Sequence, residues 1–153
     1  MSSLINPIII AEIGWNHMGD MNLAEKMIKE ASNAGAAIAK FQTWNVNRLK
    51  KGEWDLDGRR EIYNKAELSR EDHKYLINVC NQNNIEFMSS VFSIEDAKLL
   101  LELNLESVKI PSFEVSNKEL LEFCKINFKQ IFVSTGTATE DEIIQLKNIF
   151  KNW

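Results

Sequence analysis

Two lysines and two glutamates interrupt apolar runs of this 153-residue chain: Glu12 after Ile8-Ile9-Ile10-Ala11, Lys40 in Ala39-Lys40-Phe41-Gln42-Thr43, Lys109 before Ile110-Pro111-Ser112, and Glu114 just beyond. Hydroxyls accompany them in Ser89-Ser90, Ser112 and Ser134-Thr135-Gly136, and amides in Asn16 and Gln42. An ion at the edge of a buried apolar run is costly unless it is paired or faces a site. The ammoniums of Lys40 and Lys109, with Ser89, Ser90, Ser112, Ser134 and Thr135, make a pocket for a multiply charged phosphate-carboxylate anion. Gly136 allows close backbone approach to it. Glu12 and Glu114 would repel such an anion directly, so they belong on a second substrate or at a carbon where positive charge develops. Lys109 also has the placement of a desolvated amine nucleophile, as in a Schiff-base aldolase.

These residues need a scaffold that brings them to one place. Short β-branched runs at 7–13, 36–43, 85–90, 107–111 and 130–135 are continuous rather than alternating, the pattern of strands buried on both faces. Amphipathic segments of helical period lie between them, and Ser69-x-x-Asp72, Ser93-x-x-Asp96, Ser116-x-x-Glu119 and Thr139-x-x-Glu142 read as capping boxes. Gly35 follows the first helix as a terminating glycine. Five alternating βα units predict an α/β fold with a parallel sheet and right-handed crossovers. Periodicity alone fits both a flavodoxin-like domain and the first five units of a TIM-type (β/α)8 barrel. The reactive residues favour the barrel, since they sit at the carboxyl ends of successive strands. The stretch 44–68 reads as a long functional loop.

Composition narrows the role. Apolar residues make up 44%, charged residues 26%, and the net charge is −4, which disfavours nucleic-acid and membrane-surface partners. The one basic cluster, Arg48, Lys50, Lys51, Arg59 and Arg60, is offset by Glu53, Asp55, Asp57 and Glu61 and reads as a solvated loop. No apolar run approaches a membrane span, and the start lacks a basic leader, so a cytoplasmic protein is expected. Cys80 and Cys124 lie in helical apolar patterns and read as reduced core thiols.

The residues also resemble a family. Ala11-Glu12-Ile13-Gly14-x-Asn16-His17-x-Gly19, Lys40-Phe41-Gln42-Thr43, Glu67-Leu68-Ser69-x-Glu71-Asp72-His73, Ser89-Ser90-Val91-Phe92, Lys109-Ile110-x-Ser112-x-Glu114 and Ser134-Thr135-Gly136-x-Ala138-Thr139 are similar, in order, to motifs of N-acetylneuraminate (sialic acid) synthases and the related pseudaminic and legionaminic acid synthases. The resemblance implies condensation of phosphoenolpyruvate with an open-chain N-acetylated hexosamine to a nine-carbon 2-keto acid. It implies that Lys40, Ser90, Lys109, Ser112 and Ser134 hold phosphoenolpyruvate and that Glu12, with Asn16 and Gln42, faces the sugar. Glu114 would lie at the phosphoenolpyruvate C2, with Glu12, Glu114 and Lys109 the catalytic groups.

Two positions depart from the motifs: Ser90-Val91 stands for Thr-Pro and Phe113 for Gly. By the same resemblance residues 1–153 are the N-terminal part of the barrel, with the C-terminal part and an antifreeze-like domain absent. A divalent Mn or Mg ion is implied, its histidine ligands outside this chain. His17 and His73 do not match those positions; His17 is expected to touch the sugar or cap its loop, and His73 to be a surface residue. An open five-strand sheet leaves edges to cover, so a homo-oligomer or a complementing second-half polypeptide is expected, with Ile143, Leu146 and Phe150 exposed. The alternatives are a non-catalytic remnant, one half of a split synthase, or the Lys109 aldolase.

Overall fold

The computed structural model describes residues 7–151 together with residue 153. The chain runs β1 (Ile10–Gly14), α1 (Met21–Asn33), β2 (Ile38–Thr43), α2 (Arg59–Ala66), α3 (Arg70–Gln82), β3 (Glu86–Val91), α4 (Ile94–Glu102), β4 (Ser107–Ile110), α5 (Lys118–Asn127), β5 (Gln130–Val133) and α6 (Glu140–Ile149), with 3-10 turns at Glu53–Asp55 and Ser112–Glu114. All strands are parallel and ordered β1-β2-β3-β4-β5. A flavodoxin-like sheet would carry its first strand inside, so the order excludes that alternative.

Local chemistry sets the boundaries. Asp20 caps α1 by accepting from the Asn22 and Leu23 amides, and Ser69 with Asp72 and Thr139 with Glu142 close full capping boxes on α3 and α6. Ser93 caps α4 as expected, but α5 is capped by Asn117, whose side chain accepts from Leu120, rather than by Ser116. The cap thus moves one residue along, and its donor is the Leu120 amide rather than that of Glu119. Helices α1, α3 and α4 end alike, with Gly35, Asn84 and Asn104 at positive φ of 85°, 53° and 60°. In each, two amides past the end fold back on last-turn carbonyls, as in Ala36 to Ala31 at 3.0 Å and Leu105 to Leu100 at 3.1 Å. Gly19 serves a close approach instead. A Cβ there would fall 2.1 Å from the Lys65 carbonyl oxygen, so only glycine lets the β1–α1 loop lie on α2.

Burial does not alternate along β2 and β3, as the sequence pattern predicts, but the chemistry of the two faces differs. One face, Ile13, Ala39, Phe41 and Phe87, packs with Ile28 of α1 and Leu76, Val79 and Cys80 of α3. The same face continues through Val91, Val108 and Ile110 against Leu100, Leu120, Leu121 and Cys124 of α4 and α5. The register puts Glu12 beside Lys40, Gln42 beside Ser90, and Ser90 beside Lys109 on the other face. Helices covering one face only, with a polar opposite face, are the arrangement of a barrel arc and not of a doubly wound sheet. The side chains remained ambiguous in sequence because Ala, Phe and Ile alternate with Lys, Gln and Met, whose long stems also look apolar.

Other expectations shift. Residues 44–68 contain the 3-10 turn and α2 rather than an irregular loop. Leu146, Ile149 and Phe150 pack against the second core, while Ile144 is the exposed apolar residue of α6. Cys80 and Cys124 are free and buried, each thiol pushed up to about 12 by burial. No helix among the described residues is long and apolar enough to cross a membrane.

His73 is the clearest correction. It is fully buried behind the sheet, not on the surface. Its Nδ1 lies 2.7 Å from the Ser69 carbonyl and its Nε2 2.8 Å from Thr43 Oγ1, which in turn lies 2.6 Å from Ser89 Oγ. A carbonyl can only accept, so Nδ1 carries the proton, Thr43 donates to Nε2, and Ser89 donates to Thr43. Burial lowers the pKa of His73, outweighing the Ser69 carbonyl, Asp72 and Asp96, and burial likewise lowers His17 against Asp72. Both rings fold neutral, so the unfolded chain binds more protons below the ordinary value of 6.5. Stability is therefore full above that value and is lost as pH falls through it. Thermal melts are expected to show stability falling as pH drops below about 6.5. The His73→Gln variant should lose less stability over the same range. A wild-type melt flat over this range would contradict the neutral-histidine assignment.

Candidate active site

On the helix-free face, Lys40 is only 6% exposed. Its ammonium lies 2.7 Å from Glu12 Oε2 and 2.9 Å from Ser90 Oγ, on the strands either side. Lys109, half-buried, donates to Ser134 Oγ at 2.5 Å and to the Ile110 carbonyl at 2.8 Å. Burial, reinforced by the neighbouring Lys40 and opposed by Glu12, pushes the Lys109 amine down to about 8. Glu12, Lys40, Ser90, Lys109 and Ser134 therefore come together on this face. A register shift between Glu12 and Gly14 turns the end of β1. The direction a Gly14 Cβ would take is ringed by Glu12 Oε1 at 3.3 Å, Gln42 Nε2 at 3.8 Å and Asn16 Nδ2 at 4.0 Å. The three sugar-facing candidates thus form one cluster around a glycine whose φ of 59° disfavours a side chain.

Ser112 and Glu114 occupy the 3-10 turn just beyond β4. Ser112 is half-buried and takes no part in the bonds linking the two lysines and two serines. Ser89 faces the helices, bonded to Thr43, and leaves the anion pocket; Thr135 is exposed. Glu114 is buried, with Lys50 Nζ 2.8 Å from Oε1 and Asn117 Nδ2 donating to Oε2 at 2.8 Å. Lys50 is itself largely exposed and Asn117 still holds Oε2, so removing Lys50 costs less than breaking a fully buried pair.

Lys50 belongs to the segment 44–68 and was missed in sequence. Its neighbour Arg48 pairs with the buried Asp96 at the start of α4, and Glu67 accepts from Asn45 Nδ2 and the Val46 amide, each at 2.8 Å. Arg48 and Lys50 are thus ties across the segment, while Arg59 and Arg60 pair with Asp57 and Asp55, the offsetting acids. The segment encloses a cavity of about 770 Å³ at the strands' carboxyl end, lined by Gln42, Glu114 and six aromatic side chains. The aromatic density of 44–68, two Trp and one Tyr, was the available signal.

His17 is buried and its Nδ1 accepts from the Gly19 amide at 3.1 Å, so it caps its loop; Nε2 has no partner among the described residues. Among the described residues no three His, Cys, Asp or Glu side chains gather as a metal site. With His73 spent on Ser69 and Thr43, and His17 on Gly19, the described residues do not form a centre for a divalent ion.

The geometry has counterparts. The chain is 38% identical to an N,N'-diacetyllegionaminic acid synthase of Campylobacter jejuni over 93% of its length and 46% of that protein. It is 34% identical to a pseudaminic acid synthase of the same organism, over 94% of this chain and 45% of that one. It superposes with a TM-score of 0.82 and 35% identity on the crystal structure of an N-acetylneuraminic acid synthetase from Leptospira borgpetersenii in complex with citrate, covering 95% of this chain and 50% of that one. A 3-deoxy-D-arabino-heptulosonate 7-phosphate synthase of Thermotoga maritima, at 12% identity and a TM-score of 0.67, shares the fold alone. The chain spans about half the length of the curated relatives it matches. Residues 27–152 match the NeuB family, and with the ordered motifs and the one-sided parallel sheet this establishes that the chain belongs to the NeuB family of sialic and related sugar acid synthases.

Proposed function

We propose that this chain provides the phosphoenolpyruvate-binding and sugar-facing half of a nonulosonate synthase. The observation that carries this is the pair of ammoniums, Lys40 and Lys109, each held by a strand-end serine on the face that no helix of the described residues covers. A phosphate and a carboxylate on one small molecule match two fixed cations with hydroxyls between them. The electrons of the C2–C3 double bond of phosphoenolpyruvate form the new bond to the aldehyde carbon of an N-acetylated hexosamine. The aldehyde oxygen takes a proton, water adds at C2, and phosphate leaves as the tetrahedral centre collapses to the 2-keto acid.

In this reading Glu12, Asn16 and Gln42 orient the open-chain sugar, Ser112 closes the anion site once ligand is bound, and Glu114 faces C2 as positive charge develops or steers the water. The family's divalent ion would take its ligands from outside the described residues, and no step above is routed through it. The strands that complete the barrel pair with the edges of β1 and β5, whether they belong to the same polypeptide, a complementing one, or a second copy.

Isothermal titration with phosphoenolpyruvate tests the anion site without turnover. Lys40→Met and Lys109→Met should each weaken binding about ten- to a hundredfold, the worth of one or two charge-assisted bonds. Because Lys109 titrates at about 8, wild-type affinity should fall as pH rises through that value, and Lys109→Met should lack this fall. Binding indifferent to both lysines would remove the reading.

For synthesis itself, the isolated chain should release no phosphate from phosphoenolpyruvate in the presence of an N-acetylhexosamine. Mixing with a polypeptide supplying the remaining strands should restore release. Turnover by the chain alone would show that the groups described here suffice.

The lowered Lys109 amine favours one second reading, a Schiff-base aldolase. Borohydride with pyruvate should leave no stable adduct on Lys109 if the condensation reading holds. A covalent adduct mapped to Lys109 would reverse the preference.

A further inference from the structure

The hydrogen-bond chain behind the sheet reaches the anion site through the backbone. Thr43 follows Gln42 and Ser89 precedes Ser90, so each back-face hydroxyl is one peptide away from a front-face group. Gln42 stands level with Ser90, whose hydroxyl accepts from Lys40 at 2.9 Å. Ser89 Oγ, besides its bond to Thr43, lies 3.4 Å from the Ser90 carbonyl oxygen. The chain therefore has two directions in which every proton finds an acceptor. With His73 neutral, Ser89 donates to Thr43 and Thr43 donates to Nε2. With His73 protonated, Nε2 becomes a donor and Thr43 must turn to donate to Ser89. The Ser89 proton is then left with the Ser90 carbonyl, while Nδ1 stays on the Ser69 carbonyl in both states. At 3.4 Å that last contact is longer than an ordinary hydroxyl bond, so forming it shifts Ser89 and the Ser90 peptide toward each other.

The surroundings of His73 fix where this reversal falls. Burial disfavours the charged ring, and the Ser69 carbonyl, Asp72 on the same helix and Asp96 at the start of α4 oppose it; Asp96 is itself held by Arg48. β2 and β3 present Thr43, Ser89 and the Phe87 ring, which lies 6.2 Å from the imidazole. His17 lies beyond, against the Phe41 ring that stacks on Phe87. His73 thus gains its proton only below the ordinary value of 6.5, where Lys109, at about 8, stays charged.

We propose that His73 is a positioning residue for the anion site, and that its protonation reverses the Ser89–Thr43–His73 chain and draws Ser90 from its place beside Lys40, weakening anion binding. The inference rests on the phosphoenolpyruvate reading of that site. It makes the site acid-sensitive through a side chain that touches no ligand.

Isothermal titration with phosphoenolpyruvate at about pH 7 and about pH 5.5 tests this, each value on one side of the His73 transition. The ligand's phosphate also titrates near pH ~6, so wild type is compared at each pH with His73→Gln, and the ligand's own change cancels. The Gln amide keeps an acceptor for Thr43 and takes up no proton. Acidification should weaken wild-type binding relative to this variant about three- to tenfold, the effect of one misplaced hydrogen bond. Ser89→Ala cuts the chain between His73 and Ser90 yet leaves the ring free to titrate, and it should match His73→Gln. Imidazole nitrogen NMR, simple in a chain with two histidines, should show His73 passing from the Nδ1–H tautomer to imidazolium in wild type and Ser89→Ala alike. Circular dichroism at both pH values identifies any unfolded variant, and Thr43→Val, of the same shape, cuts the chain at its middle instead. Parallel loss in wild type and His73→Gln, or an acid loss that survives Ser89→Ala, would overturn the relay. Inorganic sulfate, whose charge is constant over this range, separates the two claims. Sulfate binding with the His73-dependent acid loss, but no phosphoenolpyruvate binding, removes the synthase reading alone. Both anions bound through Lys40 without that loss removes the relay alone, and neither bound removes both.

Discussion

Placing an ammonium where solvent barely reaches costs several kcal/mol unless its protons are taken up, and Lys40 at 6% exposure is such a group. Glu12 and Ser90 take them from the two flanking strands. That solution requires a parallel sheet in which β1, β2 and β3 are neighbours in chain order and Glu12 stands level with Lys40. It also requires that no helix cover this face, since an apolar helix there would strand the charge. The cores accordingly sit behind the sheet, and the paired lysines sit in front of it.

The back of the sheet contains its own polar exception. The Ser89–Thr43–His73 chain runs through the first core and ends on the carbonyl of Ser69, which caps α3. It ties β2, β3 and the start of α3 to a single geometry, because each member has one partner that fits its donor or acceptor role. Adjacent residues thus divide the work, with Ser90 serving the site and Ser89 the scaffold. A strand's two-residue period makes that division unavoidable.

The segment after β2 connects scaffold and site by charge rather than by regular structure. Asp96 is buried, and burial raises its carboxyl against the pull of Arg48, so the pairing anchors the segment on α4. Two residues on, Lys50 compensates Glu114. The candidate catalytic carboxylate therefore depends on a side chain from a different βα unit, and the aromatic cavity forms in the space these two ion pairs span.

Much of this was legible in the residues. The βα alternation, the strand-end Lys40 and Lys109, the capping signals at Ser69, Ser93 and Thr139, and the ordered motifs are local features, and local steric and hydrogen-bonding rules read them from neighbours in sequence. What the chain could not show by itself was which of two adjacent hydroxyls faces the site, that His73 is buried, that Lys50 reaches Glu114, and that six scattered aromatics form one wall. Each of those depends on the side of a strand or on a contact between residues as much as 64 positions apart, as between Lys50 and Glu114. Burial and pairing of that kind are properties of the packed sheet and its covering helices, and only the tertiary structure decides them.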